Sequence, residues 1–130
     1  MINSNELRIG NIIDAIKKRH NEKYIIVESV NSECINSDWR PYNFIQLTPI
    51  PLTPEVLLAA GFQKNKWAEE YSRSLFGDYS LSFDEVLTFK CDDDFYNYNL
   101  TQIKYLHQLQ NLIHSLTGTE LEIDLTKAIK

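Results

Sequence analysis

In the first half of the chain, short apolar stretches separated by polar residues predict a small antiparallel sheet. Residues 7–13 predict a first strand with a kink at Gly10, and residues 24–30, rich in β-branched side chains, predict a second strand. Further short strands are expected at residues 34–35 and 42–47. Because these strands are short and joined by tight turns, we expect a small curled sheet or an SH3-like barrel.

A short helix is the clearest local prediction in the middle of the chain. The hydroxyl of Thr53 can accept a backbone N–H of the first turn, and Pro54 suits the first helical position, where no N–H is needed. Gly61 suits the left-handed position just beyond a helix end, and Phe62 can pack back on the last turn. We therefore predict a helix of about two turns between Thr53 and Gly61.

Residues 66–98 predict a β-meander. The candidate strands are residues 67–72, 79–83 and 86–91, and in the middle one apolar and polar side chains alternate. Nine of the fifteen aromatic residues of the chain lie in this stretch. Many of them are therefore expected to form core contacts and cross-strand pairs.

The C-terminal part predicts a long amphipathic helix and a final strand. Apolar side chains share one helical face from Tyr105 to Leu116, and Gly118 is expected just beyond the helix end. In residues 121–125 apolar and acidic side chains alternate, which is typical of a half-exposed strand at a sheet edge.

Taken in order, these elements predict an α+β fold. It consists of a small N-terminal curled sheet or SH3-like barrel, a short helix, an antiparallel β-meander, a long C-terminal amphipathic helix and a final edge strand. The length suits a single domain over residues 1–130. A division into two lobes at residues 1–62 and 63–130 is the alternative.

Charge is unevenly distributed along the chain. The formal net charge is −5, and residues 66–100 carry three basic and eight acidic side chains. An acidic surface repels phosphate backbones, so this part of the chain is not expected to bind nucleic acid. The hydrophobic fraction of 43% and the charged fraction of 24% are ordinary for a folded soluble domain and argue against a disordered chain.

The sequence favours a cytoplasmic protein. Its N-terminus lacks the basic and apolar segments of a secretory signal, and no apolar run approaches the roughly 20 residues that span a bilayer. Cys34 and Cys91 lie far apart and form no CxxC pair, so we expect two reduced thiols rather than a disulfide or a metal site.

No catalytic signature is present, and we predict neither enzymatic activity, nor a metal, nor a cofactor. His107 and His114 are seven residues apart, which places them about 10 Å apart on a helix and too far for a shared metal ion. Together with Gln110 they are interpreted as polar side chains that flank the apolar face and bond to a neighbouring strand. A partner contact along this edge is the alternative.

Three separated motifs resemble a known group of proteins. They are residues 5–11 (NELRIGN), residues 49–62 (PIPLTPEVLLAAGF) and residues 103–121 (IKYLHQLQNLIHSLTGTEL). In this order and spacing they resemble a family of small uncharacterised proteins encoded by phages, prophages and mobile elements of Bacteroidetes-type bacteria. The resemblance implies a small cytoplasmic accessory protein of a bacterial host cell. It implies no catalytic or binding residue.

From the charge asymmetry and this resemblance we predict a non-enzymatic accessory protein that binds a host or phage protein through an acidic, aromatic-rich surface. Carboxylates spaced like nucleic-acid phosphates would suit an anti-defence or nucleic-acid-mimic role, and aromatic anchors often dominate interface energies. The candidate partner-binding residues are Asp78, Asp84, Glu85, Asp92, Asp93, Asp94, Tyr96 and Tyr98.

The alternative function is a nucleic-acid-associated module that uses the N-terminal barrel and the basic cluster at residues 17–20. Its candidate residues are Lys17, Lys18, Arg19 and Arg40. Neither function requires a membrane. The expected assembly is a monomer, or a homodimer formed through the strand edge at residues 121–125.

Overall fold

The fold was analysed in a computed structural model. It describes residues 2, 4–16, 18–19, 22–66, 70–76, 79–84, 86–91, 97–100, 102–123 and 125. Two compact units are distinguished along the chain. The first unit comprises Met1–Pro51 and Tyr105–Leu112, and the second comprises Leu52–Lys104 and Ile113–Lys130. The predicted single domain over residues 1–130 stays a prediction.

Six short antiparallel strands build the first unit and form two three-stranded sheets. One sheet has the order β2-β1-β6 and the other the order β3-β4-β5. The strands are β1 (Ile12–Ala15), β2 (Ile25–Ile26), β3 (Ser29–Val30), β4 (Cys34–Ser37), β5 (Arg40–Asn43) and β6 (Leu47–Thr48).

The predicted SH3-like barrel is wrong, because the two sheets are curled but open. The predicted second strand is divided into β2, which pairs with β1, and β3, which pairs with β4. Between β5 and β6 the chain forms a 3₁₀ turn at Phe44–Gln46, whose capping box ties the Gln46 side chain to the backbone N–H of Asn43. The turn takes the chain out of the extended conformation, and no ladder joins β5 to β6 among the described residues.

The core of the first unit is aliphatic, with one buried tyrosine. Val30 and Phe44 pack against it as half-buried neighbours. Its buried members are Ile2, Leu7, Ile13, Ala15, Ile25, Val27, Ile35, Tyr42 and Leu47. These side chains come from β1, β2, β4, β5 and β6 and from the flanking segments, so burial of one continuous apolar cluster stabilises both small sheets.

A buried amide also connects β1 to the C-terminal helix α2 (Leu106–Thr117). The Oε1 atom of Gln110 accepts the backbone N–H of Ile12 at 2.7 Å, and its Nε2 donates to the carbonyl of Gly10 at 3.1 Å. Beside it, Asn111 Oδ1 accepts the side-chain amide of Asn11 at 2.8 Å. Gln110 therefore bonds to a neighbouring strand, as its position beside the apolar face predicts.

The second unit contains a five-stranded antiparallel sheet and a short helix. The sheet order is β11-β10-β9-β8-β7, so consecutive strands are neighbours. The helix α1 contacts β7 and β8. The elements are α1 (Pro54–Ala59), β7 (Gln63–Lys64), β8 (Tyr71–Phe76), β9 (Tyr79–Phe83), β10 (Leu87–Cys91) and β11 (Asn97–Leu100).

The predicted short helix is confirmed together with both of its ends. Thr53 Oγ1 accepts the backbone N–H of Val56 at 3.3 Å. At the other end Gly61 has a φ of +92°, and the N–H of Phe62 donates to the carbonyl of Leu57 at 3.0 Å. This is the Schellman pattern, in which a glycine takes the left-handed conformation that other residues adopt only at a cost.

The predicted α+β class is wrong, since the molecule is mostly β with one long helix near its C-terminus. The predicted final edge strand is not formed at residues 121–123. Leu121 and Leu125 are instead buried, so their apolar side chains serve packing without strand pairing.

Sequence reasoning also missed β11, which pairs with β10 through the register Phe89↔Tyr98. No helix in the described part of the chain is long and apolar enough to cross a membrane.

Replacing Gln110 by leucine should lower the free energy of unfolding by about 2–4 kcal/mol, because the Ile12 N–H and the Gly10 carbonyl would lose their hydrogen-bond partner. Gln102→Leu is the matched control, since Gln102 is exposed. Urea denaturation of both variants measures the difference. Equal stabilities for the two variants would contradict a structural role for the Gln110 amide.

Candidate functional site

The connection between β4 and β5 is a two-residue turn. Ser37 pairs with Arg40, which leaves Asp38 and Trp39 as the loop. Their φ angles are +49° and +64°. Positive φ at both loop positions is typical of type I′ hairpins, whose backbone twist matches that of the strands and which favour Asn-Gly or Asp-Gly. A tryptophan at the second position is therefore unusual.

Trp39 is also almost fully exposed. Its relative exposure is 93%. A non-glycine residue in the left-handed region costs free energy, and an indole ring left in water forgoes the large stabilisation that its burial would bring. The local fold gains nothing from this side chain. Backbone strain combined with an exposed aromatic side chain marks the turn as a functional candidate.

A charged contact ties a second segment to this turn. Arg19 Nη1 forms an ion pair with Asp38 Oδ2, and Arg19 Nη2 donates to the Asp38 carbonyl at 3.2 Å. Arg40, the next residue after Trp39, places its guanidinium carbon 5.3 Å from the ring centroid of Tyr42. The turn thus carries one exposed aromatic side chain, a guanidinium group bound to Asp38, and a second guanidinium group that lies over Tyr42.

Four isoleucines in the described part of the same unit are exposed, namely Ile9, Ile16, Ile26 and Ile45. Ile16 and Ile45 are 70% and 76% exposed, and the N–H of Ile16 donates to the carbonyl of Gln46 at 2.9 Å, which places the two segments side by side. Because Ile16 and Arg19 are three positions apart, at most about 11 Å of chain separates them. We group the isoleucines Ile16 and Ile45 with the turn under the name hairpin surface, since all of these residues lie in the first unit. It comprises Ile16, Arg19, Asp38, Trp39, Arg40 and Ile45.

The three described basic residues of the predicted nucleic-acid site, Lys18, Arg19 and Arg40, do not form one free cluster. Lys18 Nζ pairs with Asp14 Oδ1, and Arg19 pairs with Asp38. Arg40 lies over the ring of Tyr42. Lys17 lies outside the described residues. The structure brings Arg19 and Arg40 to the same turn, but it pairs Lys18 and Arg19 with acidic side chains.

Of the predicted acidic, aromatic-rich surface, only Asp84 is fully described. It is exposed, and its Oδ1 accepts the backbone N–H of Val86 at 3.2 Å in the turn between β9 and β10. The backbone of Tyr98 belongs to β11. The remaining predicted residues, Asp78, Glu85, Asp92, Asp93, Asp94 and Tyr96, lie outside the described residues. This surface stays a prediction.

The histidines of α2 differ in their environments. His107 is 1% exposed, and neither ring nitrogen has a hydrogen-bond partner within the described part of the chain. Burial lowers the pKa of His107 below its ordinary value of 6.5, and the negative charge of Glu6 opposes this in part. His114 is exposed. Among the described residues, no group of three His, Cys, Asp or Glu side chains could hold a metal ion.

Trp39 was not among the residues that the sequence predicted for a site. In the sequence it stands among the polar residues Ser37, Asp38 and Arg40, and this position between two strands is the signal that could have pointed to a turn. Comparison with protein-family models, curated proteins and solved structures finds no match to this chain.

Trp39→Gly should raise the free energy of unfolding by about 1 kcal/mol, because glycine adopts the φ of +64° without strain. Trp39→Ala is the matched control, since it removes the ring but keeps a Cβ in the left-handed conformation. Thermal or urea unfolding of the three proteins measures the effect. An equal gain in both variants would show that the ring, and not the backbone strain, destabilises the turn.

The stability of the protein should fall as the pH drops below about 6.5, because unfolding exposes His107 and restores its ordinary pKa. In this range the unfolded chain binds more protons than the folded chain, so the free energy of unfolding decreases by at most about 1.4 kcal/mol per pH unit from this group. Urea denaturation between about pH 7.5 and about pH 5.5 measures the slope. The substitution His107→Phe should reduce this slope, and His114→Asn should leave it unchanged. A reduced slope in His114→Asn alone would contradict the assignment of the pH dependence to His107.

Proposed function

We propose that this protein is a non-enzymatic binding protein that docks on another protein through the hairpin surface, with Trp39 as the central anchor. The observation that carries the proposal is the 93% exposure of a tryptophan held at positive φ. Large aromatic side chains are enriched among residues that dominate binding energies, because they bury much area at little cost in side-chain entropy.

The charges of the hairpin surface favour a protein partner over nucleic acid. Lys18 and Arg19 are already neutralised by Asp14 and Asp38, so neither offers a free positive charge to a phosphate. The exposed side chains of Ile16 and Ile45 add apolar area that a protein core can bury. The formal net charge of −5 further opposes association with a polyanion.

A nucleic-acid-associated module is the second candidate. It is favoured by one observation, an exposed indole in a turn to which Arg19 is bonded through Asp38 and which Arg40 follows in the chain. Single-strand binders combine an aromatic stacking platform with basic side chains in this way. Such binding would fall steeply with salt, whereas an interface anchored by Trp39 and the two isoleucines would not.

The resemblance to small phage and mobile-element proteins supports an accessory role in the cytoplasm of a bacterial host. The predicted acidic surface would be a second contact region in this proposal, and an anti-defence or nucleic-acid-mimic role would use it. The two surfaces can be distinguished because they share no residue. Because either surface can bind the partner, the experiment includes a variant of each surface.

Trp39→Ala should weaken binding of the captured partner by about 30-fold or more, corresponding to about 2 kcal/mol. A photocrosslinking amino acid at position 45 identifies the partner, which is then purified and titrated by calorimetry at low and high salt. Leu58→Ala is the matched control, because Leu58 is an exposed apolar residue of the second unit. The affinity of the Leu58→Ala variant for the partner should equal that of the wild type.

A third variant neutralises Asp78, Asp84, Glu85, Asp92, Asp93 and Asp94. If this variant loses binding while Trp39→Ala keeps the affinity of the wild type, the partner binds the acidic surface and not the hairpin surface. Capture of DNA or RNA that is released by salt and by Arg19→Gln would favour the second candidate. Equal losses in Trp39→Ala and Leu58→Ala would contradict both assignments.

A further inference from the structure

His107 is a buried titratable side chain that the proposed docking role does not use. It is 1% exposed, and neither ring nitrogen has a hydrogen-bond partner within the described part of the chain. A neutral imidazole carries one N–H donor and one acceptor, and buried groups of this kind are ordinarily satisfied in native structures. An apolar side chain of similar size would fill the same space without this cost. The presence of a histidine at this position therefore requires an explanation beyond packing.

Residues 4–8, which we call the strap, lie against the face of α2 that carries His107. The side-chain amide of Asn111 donates to the carbonyl of Glu6 at 2.8 Å, and its Oδ1 accepts the Nε of Arg8 at 3.1 Å. Because residues four positions apart on a helix lie one above the other, His107 and Asn111 share this face. The negative charge of Glu6 also acts on His107, which places the strap beside both residues.

The strap is held less firmly than the helix that it contacts. Its 3₁₀ turn at Ser4–Glu6 contains no buried residue, and Leu7 is the one buried side chain of the strap. By contrast, α2 is fixed to β1 by the buried amide of Gln110 and buries Leu109 completely. A segment with few buried contacts opens locally at a low free energy, while the surrounding elements stay folded.

The titratable groups around the ring come from three segments. The strap contributes the carboxylate of Glu6, which favours a positive ring, and the guanidinium of Arg8, which is bonded to α2. The start of α2 contributes Tyr105, whose ring lies parallel to the imidazole with the centroids 6.1 Å apart. The connector at residues 49–52, which bonds to the start of α2, contains no titratable side chain. Burial outweighs the charge of Glu6, so the pKa of His107 lies below its ordinary value of 6.5.

We propose that His107 and the strap form a pH-sensitive switch, in which protonation of the buried ring opens the strap while α2 and both sheets of the first unit stay folded. An imidazolium carries two N–H donors and a charge that must be hydrated or paired. Opening the strap admits water to the ring and breaks the bonds of Asn111 to the strap, whereas unfolding α2 would also break those of Gln110. The switch is independent of the proposed docking role, because no residue of the strap belongs to the hairpin surface.

Linkage fixes the direction of the switch. In the open form the ring regains its ordinary pKa of 6.5, so the open form binds more protons than the closed form as the pH falls. Between about pH 7.5 and about pH 5.5 the equilibrium constant for opening should therefore rise by up to about tenfold.

Amide hydrogen exchange of the full chain, followed by nuclear magnetic resonance and corrected for the pH dependence of intrinsic exchange, measures this constant. The N–H groups of Leu7 and Arg8, bonded to the Ser4 carbonyl and to Asn11 Oδ1, report on the strap, and that of Leu109 reports on α2. The opening constants at Leu7 and Arg8 should show the rise of up to about tenfold. Low concentrations of urea should leave them unchanged, because local opening exposes little surface, and should accelerate exchange at Leu109.

His107→Phe keeps a buried ring that cannot be protonated, and it should remove the pH dependence of opening at Leu7 and Arg8. Glu6→Gln should raise opening at about pH 5.5 by about twofold, because it removes the charge that favours the closed, protonated form. Glu33→Gln is the matched control, since it makes the same charge change at an exposed residue of the first unit.

The proposal would be overturned by opening constants at Leu7 and Arg8 that do not change with pH, or that change equally in His107→Phe. Exchange at both amides with the urea dependence of Leu109 would also overturn it, because the strap would then open only when α2 unfolds. If His107→Phe does not fold, Glu6→Gln and Glu33→Gln decide the question, and equal opening constants in these two variants would contradict the switch.

Discussion

The hydrogen bonds of the Gln110 amide are the interaction on which the first unit depends. A buried backbone N–H or carbonyl without a partner costs about 1–3 kcal/mol, and Gln110 satisfies one of each, at Ile12 and Gly10. The strands of this unit have two to four residues each, too few to be stable by their ladders alone. Side-chain amides from α2 complete the hydrogen bonding that such short strands leave open.

How far the fold could be predicted depended on the range of the interactions. The helix at Pro54–Ala59 depends on its own ends, and Thr53 and Gly61 are local signals, so its prediction was correct. The barrel was predicted from strands that exist, but its closure depended on long-range pairing, and in the described part of the chain the strands form two separate sheets, with the 3₁₀ turn at Phe44–Gln46 between β5 and β6. At residues 121–125, the alternation of apolar and acidic residues correctly indicated that Leu121 and Leu125 are buried. It did not indicate whether the backbone of this segment pairs with another strand.

The candidate site was harder to predict for a related reason. From the sequence, a basic cluster is recognised by the number of its charges alone. Whether the charge of Arg19 is available for binding depends on Asp38, nineteen positions away, which neutralises it. Trp39 belongs to a class of residue that is ordinarily buried, and its exposure becomes evident only once the two-residue turn is seen in the structure.

The contacts of Gln110 and Asn111 also order events during synthesis on the ribosome. Their hydrogen bonds to Ile12, Asn11 and the Glu6 carbonyl span 98, 100 and 105 positions of the chain. Since residues 6–12 are synthesised before α2, they must wait for about 100 further residues before these bonds can form. The nascent first unit therefore exposes unpaired strand groups during this interval, and it becomes complete only when its helix leaves the exit tunnel.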